Sequence, residues 1–165
     1  MKRDPTKSGY FVGTEVENTN YRGYLTLFVV GKPPSAQKIH EVAETAAGVT
    51  AITHIYLAAN QSWASCSVKE WATAAGALRD MGYLVSLDIP YGYYPQYLEY
   101  TKLLGHTQLV ISVPLPEIQR MNAVVKIDDD VRSITNPGVW VHKMTQEGFT
   151  PWAAYQGDSS LKDFT

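Results

Sequence analysis

Glu17, Asp88 and Asp128 each stand near the end of an apolar run, and Asn60 and Gln61 close another. The runs are FVGTEVEN (11–18), YLVSLDIP (83–90), AVVKIDDD (123–130) and THIYLAANQ (53–61). Carboxylates brought together from separate strands can hold Mg²⁺, a hard cation that takes oxygen ligands and keeps several waters. A site of that kind suits chemistry on phosphates. Glu17, Asp88 and Asp128 are therefore the candidate catalytic and metal-binding residues, for a nucleotide-like or phosphorylated substrate. Acids at strand ends also serve as solvated loop residues or helix caps, and these three match no diagnostic ligand spacing. Glu15 and Glu17 share one strand face by alternation. They can divide acid and base roles if partly buried, or simply face water.

Other familiar chemistry is thinly represented. His40, His54, His106 and His142 fall in no H-x-x-x-H or H-E-x-x-H pattern, so zinc is not indicated. The chain has neither G-x-x-x-x-G-K-[ST] nor a strand followed by G-x-G-x-x-G. Cys66 is the single cysteine, which rules out an intrachain disulfide. It sits just before an expected helix N-terminus, which lowers a thiol pKa, although small buried cysteines are the commoner case. Aromatics are more telling, with 11 tyrosines and 4 tryptophans. Such side chains suit surfaces that are half apolar and half wet, and some close the core beneath loops. Tyr91, Tyr93 and Tyr94 crowd IPYGYYPQY, Trp63 follows Asn60 and Gln61, and Trp140 lies in VWVHKM. These aromatics, with Asn60 and Gln61, are the candidate binding residues. Basic neighbours are missing, which favours a protein interface over nucleic acid.

The elements that must position these residues follow from periodicity. Six apolar runs recur: the four above together with YLTLFVVG (24–31) and QLVISVPLP (108–116). Helix-like stretches separate the second run from the third, the third from the fourth and the fourth from the fifth, which is the rhythm of a parallel sheet. Ligands in such sheets sit at the carboxyl ends of the strands. The first two runs are joined by NTNYRG, too short for a helical crossover, so a hairpin is expected. Ser35 can cap a helix with an apolar stripe at Ile39, Val42, Ala43 and Ala46. Ser67 and Glu70 have capping-box spacing before a helix burying Val68, Trp71, Ala72, Ala75 and Leu78. A short helix is expected around 95–104. VWVHKM should be a strand, placed antiparallel to 123–128, and TPWAAYQ a final short helix with Pro151 in its first turn.

The chain is 165 residues long with a net charge of −2. That length predicts one α/β domain over 10–165, preceded by a polar arm over 1–9. A mostly parallel sheet of five or six strands with packed helices is expected, a partial β/α barrel being the alternative. The polar N-terminus and the lack of a run of ~20 apolar residues predict a cytoplasmic protein without a membrane span.

The stretches GTEVEN, LFVVG, HIYLAANQSW, VKIDDD, TNPGVWVH and FTPWAAY together resemble a family of small proteins encoded by tailed bacteriophages, from about residue 10 to 155. The resemblance implies expression in a host cytoplasm and transfers no catalytic residue. The strand order is also similar to part of a radical-SAM barrel, but the three-cysteine cluster of that chemistry is absent. Two functions follow. One is a non-enzymatic binding or assembly protein without a cofactor, self-associating through the aromatic loops 91–97 and 137–155 or joining a host or phage protein. The other is a small carboxylate enzyme using Mg²⁺.

Overall fold

A computed structural model describes residues 9–15, 21, 23–46, 48, 51–59, 67–90, 93–113, 139–143, 155–156 and 161–164. Among these residues seven strands form one sheet: β1 (Gly9–Glu15), β2 (Leu25–Val30), β3 (His54–Ala58), β4 (Leu84–Pro90), β5 (Gln108–Val113), β6 (Val139–Lys143) and β7 (Tyr155–Gln156), in the order β6-β5-β4-β3-β2-β1-β7. β2 to β6 are parallel and lie side by side in chain order. β1 pairs with β2 as the expected antiparallel hairpin, Phe11 opposite Phe28. The architecture is thus α/β with a mostly parallel sheet.

The helices α1 (Ala36–Ala46), α2 (Val68–Asp80), α3 (Tyr94–Tyr97) and α4 (Thr101–Leu104) occupy the connections between β2 and β5, with a 3₁₀ turn at Leu98–Tyr100. Local chemistry sets their ends. Lys38 N–H donates to Ser35 Oγ at the start of α1. Ser67 and Glu70 form the reciprocal capping box of α2. At its other end Gly82 takes φ +100°, and the amides of Gly82 and Tyr83 donate back to the carbonyls of Arg79 and Leu78. That is the left-handed glycine cap that stops a helix.

Among the described residues, one apolar core joins every helix to the same side of the sheet. Ile39 and Ala43 of α1, Trp71, Ala75 and Leu78 of α2, then Tyr97 and Leu104, pack with Leu27, Val29, Ile55, Leu57, Val85, Leu87, Ile89 and Leu109. Strand alternation sends their neighbours Thr26, Phe28, His54, Tyr56, Ser86, Asp88 and Gln108 to the opposite face. Those residues are buried as well, so the parallel strands are covered on both sides, as such strands require. The three helical connections each advance one strand in the same direction on the same face, so all share one hand.

The five parallel strands agree with the expected sheet of five or six, and among the described residues β1 and β7 extend it to seven. VWVHK forms the expected strand and pairs parallel to β5, Val110 opposite Trp140; its expected antiparallel partner, 123–128, lies outside the described residues. One feature departs from the sequence-based expectation. Tyr155 and Gln156, expected in a final helix, pair with Glu15 and Thr14 of β1. The stretch 114–138, with AVVKIDDD, lies outside the described residues, as do residues 1–8 of the arm expected over 1–9, whose last residue, Gly9, opens β1. Among the described residues no helix is long and apolar enough to cross a membrane.

Gly76 lets α2 approach α4: a Cβ there would run into the backbone carbonyl oxygen of Leu103. Gly→Ala inside a helix normally stabilises by roughly 0.5–1 kcal/mol, but forcing volume into a packed contact costs roughly 1–3 kcal/mol. Gly76→Ala should therefore lower the urea midpoint rather than raise it. Ser67→Ala should also destabilise, by about 1 kcal/mol from the lost cap.

Candidate functional site

The face opposite the described helices, helix-free among the described residues, carries a polar row across β2, β3, β4 and β5. Thr26 Oγ1 donates to the Tyr24 carbonyl at 3.0 Å and lies 2.8 Å from His54 Nδ1. His54 Nε2 lies 2.8 Å from Ser86 Oγ. A threonine hydroxyl has one proton. With that proton on the Tyr24 carbonyl, Thr26 accepts from His54 Nδ1–H, and Nε2 is left to accept the Ser86 hydroxyl proton. His54 is fully buried, with the Tyr21 ring 4.6 Å away between centroids. Burial lowers its pKa to about 3, so the imidazole is neutral.

Next to this chain of bonds, Tyr56 donates its hydroxyl proton to Asp88 Oδ2. Both side chains are buried. Gln108 stands opposite Ser86 in the β4–β5 register. It too is fully buried, and among the described residues neither its amide nitrogen nor its amide oxygen has a hydrogen-bond partner.

Position along the strands separates two roles. Thr26, His54 and Gln108 lie at the beginnings of their strands, while Asp88 lies in the carboxyl half of β4. Ligand chemistry in parallel α/β sheets concentrates at the carboxyl ends, and the amino ends serve stability. His54 fits the stability role, because a base with a pKa of about 3 is poorly matched to proton transfer near neutral pH. Asp88 sits on the side where a ligand would be met.

Of the residues singled out from sequence, Asp88 is in the row. Glu17, Asn60, Gln61, Trp63, Cys66, Tyr91 and Asp128 lie outside the described residues. The expected convergence assumed strands running the same way. β3 and β4 do so, Ala58 pairing with Asp88, so β3 ends beside Asp88. β1 runs the other way and ends at Glu15, next to the start of β2, at the opposite end of the sheet from Asp88. Tyr93 packs, partly buried, against the helix-side core. Tyr94 lies in α3 and Trp140 in β6. Among the described residues, no three His, Cys, Asp or Glu side chains are placed to hold a metal ion.

Sequence reasoning missed Thr26, Tyr56, Ser86 and Gln108 and set His54 aside. The available signal was a polar residue at the same depth in each apolar strand: Thr26, His54, Ser86, Gln108. A second polar group joins α1 to the start of β4. His40 Nε2 lies 2.5 Å from Glu44 Oε1, and His40 Nδ1 lies 2.6 Å from the Tyr83 hydroxyl. Burial and then the Glu44 charge raise the Tyr83 pKa, so this phenol stays protonated.

Comparison with protein-family models, with curated proteins and with solved structures finds no match in any of the three. The class defined by fold and site is an α/β protein with a buried polar row on the helix-free face of its parallel sheet.

The buried His54 has a pH signature. Its pKa is about 3 in the folded chain and 6.5 in the unfolded one. Below pH 6.5 the unfolded chain takes up a proton that the folded chain refuses. This contribution to stability is thus fully present above that pH and is lost as pH falls toward 3. The slope approaches ~1.4 kcal/mol per pH unit. Urea midpoints followed downward from neutral pH should fall more steeply for the wild type than for His54→Asn.

Proposed function

We propose that the chain is a non-enzymatic binding or assembly protein of the bacteriophage type, acting in a host cytoplasm. The observation that carries this reading is the mutual satisfaction of the reactive groups on the helix-free face. His54 is neutral and held between Thr26 and Ser86, and Asp88 accepts from Tyr56. Side chains so enclosed hold an arrangement in place better than they exchange protons with a substrate.

The fold belonging to this reading is a single α/β domain forming part of a β/α barrel. In support, β2 to β6 follow chain order and every helix among the described residues packs on one face, whereas a doubly wound sheet has helices on both faces. Self-association would use the end of the sheet with Trp140. In support, β6 pairs on one side only among the described residues, and edge strands are templates for another chain. Tyr93, Tyr97 and Tyr100 pack toward the core, which moves the weight of this reading from loop 91–97 to 137–155. Light scattering over a concentration series should give a mass above that of one chain, reduced by Trp140→Ala. A single-chain mass throughout would overturn self-association.

One observation favours the second reading, a carboxylate enzyme that uses Mg²⁺. Asp88 is buried in the carboxyl half of β4, facing away from the helices. On this reading Mg²⁺ should raise the melting temperature of the wild type and leave that of Asp88→Asn unchanged. Equal responses from both proteins would remove it.

A further inference from the structure

Independently of the readings above, we propose that Tyr83 is a site of acylation by neutral activated esters, with His40 as the base for its hydroxyl and Glu44 as the group that orients that base. The three side chains form a hydrogen-bonded line at α1, on the helix side of the sheet. His40 Nδ1 lies 2.6 Å from the Tyr83 hydroxyl, and His40 Nε2 lies 2.5 Å from Glu44 Oε1. A hydroxyl within reach of an imidazole that is itself held by a third group is the arrangement that activates oxygen nucleophiles.

The partners fix where the protons sit. A carboxylate only accepts, so the N–H of the neutral ring stands at Nε2 and points to Glu44. Nδ1 keeps its lone pair, and the Tyr83 hydroxyl donates to it. Burial and then the Glu44 charge raise the Tyr83 pKa. Free phenolate is therefore scarce near neutral pH, and reaction depends on a base already at the hydroxyl. His40 Nδ1 is in that position.

Ordered backbone holds the line together. His40 and Glu44 stand one turn apart on α1. Tyr83 follows the glycine cap of α2, its amide donating to the Leu78 carbonyl, and its ring meets the imidazole at 66° with centroids 5.7 Å apart. The line is also open to solvent. The His40 side chain is 31% exposed and that of Glu44 60%, while Tyr83 is partly buried against the core. Pairs so exposed contribute little to a fold, so stability is a weak reason for aligning three such groups.

Charge selects the reagent. Among the described residues Glu44 pairs with no Lys or Arg, and Lys38 is engaged with Glu41. The negative charge beside the phenol disfavours an anionic phosphoryl donor and leaves a neutral carbonyl carbon as the suitable electrophile. In the step, Tyr83 Oη attacks that carbon while the phenolic proton passes to His40 Nδ1. The bond from the carbon to the leaving oxygen then breaks, and the leaving oxygen takes the proton from Nδ1. Tyr83 becomes an aryl ester, and the rest of the reagent departs as its alcohol or phenol.

The test treats the full chain with p-nitrophenyl acetate and follows acetylation of each tyrosine by peptide mass spectrometry. Tyr24, 42% exposed, is the internal reference. Tyr83 should be acetylated ahead of Tyr24 although it is less exposed. His40→Asn keeps an acceptor near the place of Nδ1 but removes the base, so the rate at Tyr83 should fall about a hundredfold or more. Glu44→Gln should slow it several-fold. That variant changes an exposed side chain, so it decides the matter if melting shows His40→Asn to be poorly folded. Tyr83→Phe should remove this label and leave that on Tyr24. A merely structural contact would leave the Tyr83 rate unmoved by His40→Asn. An unchanged rate at Tyr83 in a folded His40→Asn or in Glu44→Gln, or Tyr24 reacting ahead of Tyr83, overturns the inference.

Discussion

Parallel strands must be buried on both faces, and here the described helices pack on one. α1, α2 and α4 all descend on the side of Leu27, Ile55, Leu87 and Leu109, with Trp71 fully buried among them. The other face is buried too. Much of it is polar and closed to solvent, so its groups must find partners in neighbouring strands. The order β2-β3-β4-β5 makes that possible, because parallel pairing in chain order places residues of similar depth side by side. The hydrogen-bonded chain Thr26–His54–Ser86 is a direct consequence of that register.

The same constraint divides the titratable groups. Burial without a countercharge favours neutral imidazole, and the flanking hydroxyls of Thr26 and Ser86 suit a ring with one donor and one acceptor. A protonated ring would need two acceptors and a nearby anion. Asp88, further toward the carboxyl ends, meets a phenol donor instead. His54 thus belongs to the architecture, while Asp88 stands where α/β sheets meet ligands. Gln108 is the member of the row without a hydrogen-bond partner among the described residues.

The aromatic surplus divides in a similar way. Tyr97 is buried, and Tyr93 and Tyr100 pack against the core under α3 and α4. Phe11, Phe28 and Tyr56 line the helix-free face with Ala58 and Val30. Tyrosine-rich sequence marks both a core cover and an interface, since the ring is apolar and its hydroxyl tolerates water.

Much of the local structure was legible in the residues themselves. Apolar runs located β2, β3, β4 and β5. The spacing of Val68, Trp71, Ala72, Ala75 and Leu78 gave the buried stripe of α2, and Ser67 with Glu70 gave its capped start. The short NTNYRG link required an antiparallel hairpin. These features depend on contacts within a few residues, or on periods of two and 3.6, which a sequence displays directly. Asp88 was visible as an acid inside an apolar strand. Only the tertiary structure decided that β6 runs parallel to β5, that 155–156 joins β1, and that β1 ends away from Asp88. It alone put Thr26, His54, Ser86 and Gln108 in one row, because strand direction and register are set by long-range pairing and by which face the helices cover, and neither leaves a local trace in the chain.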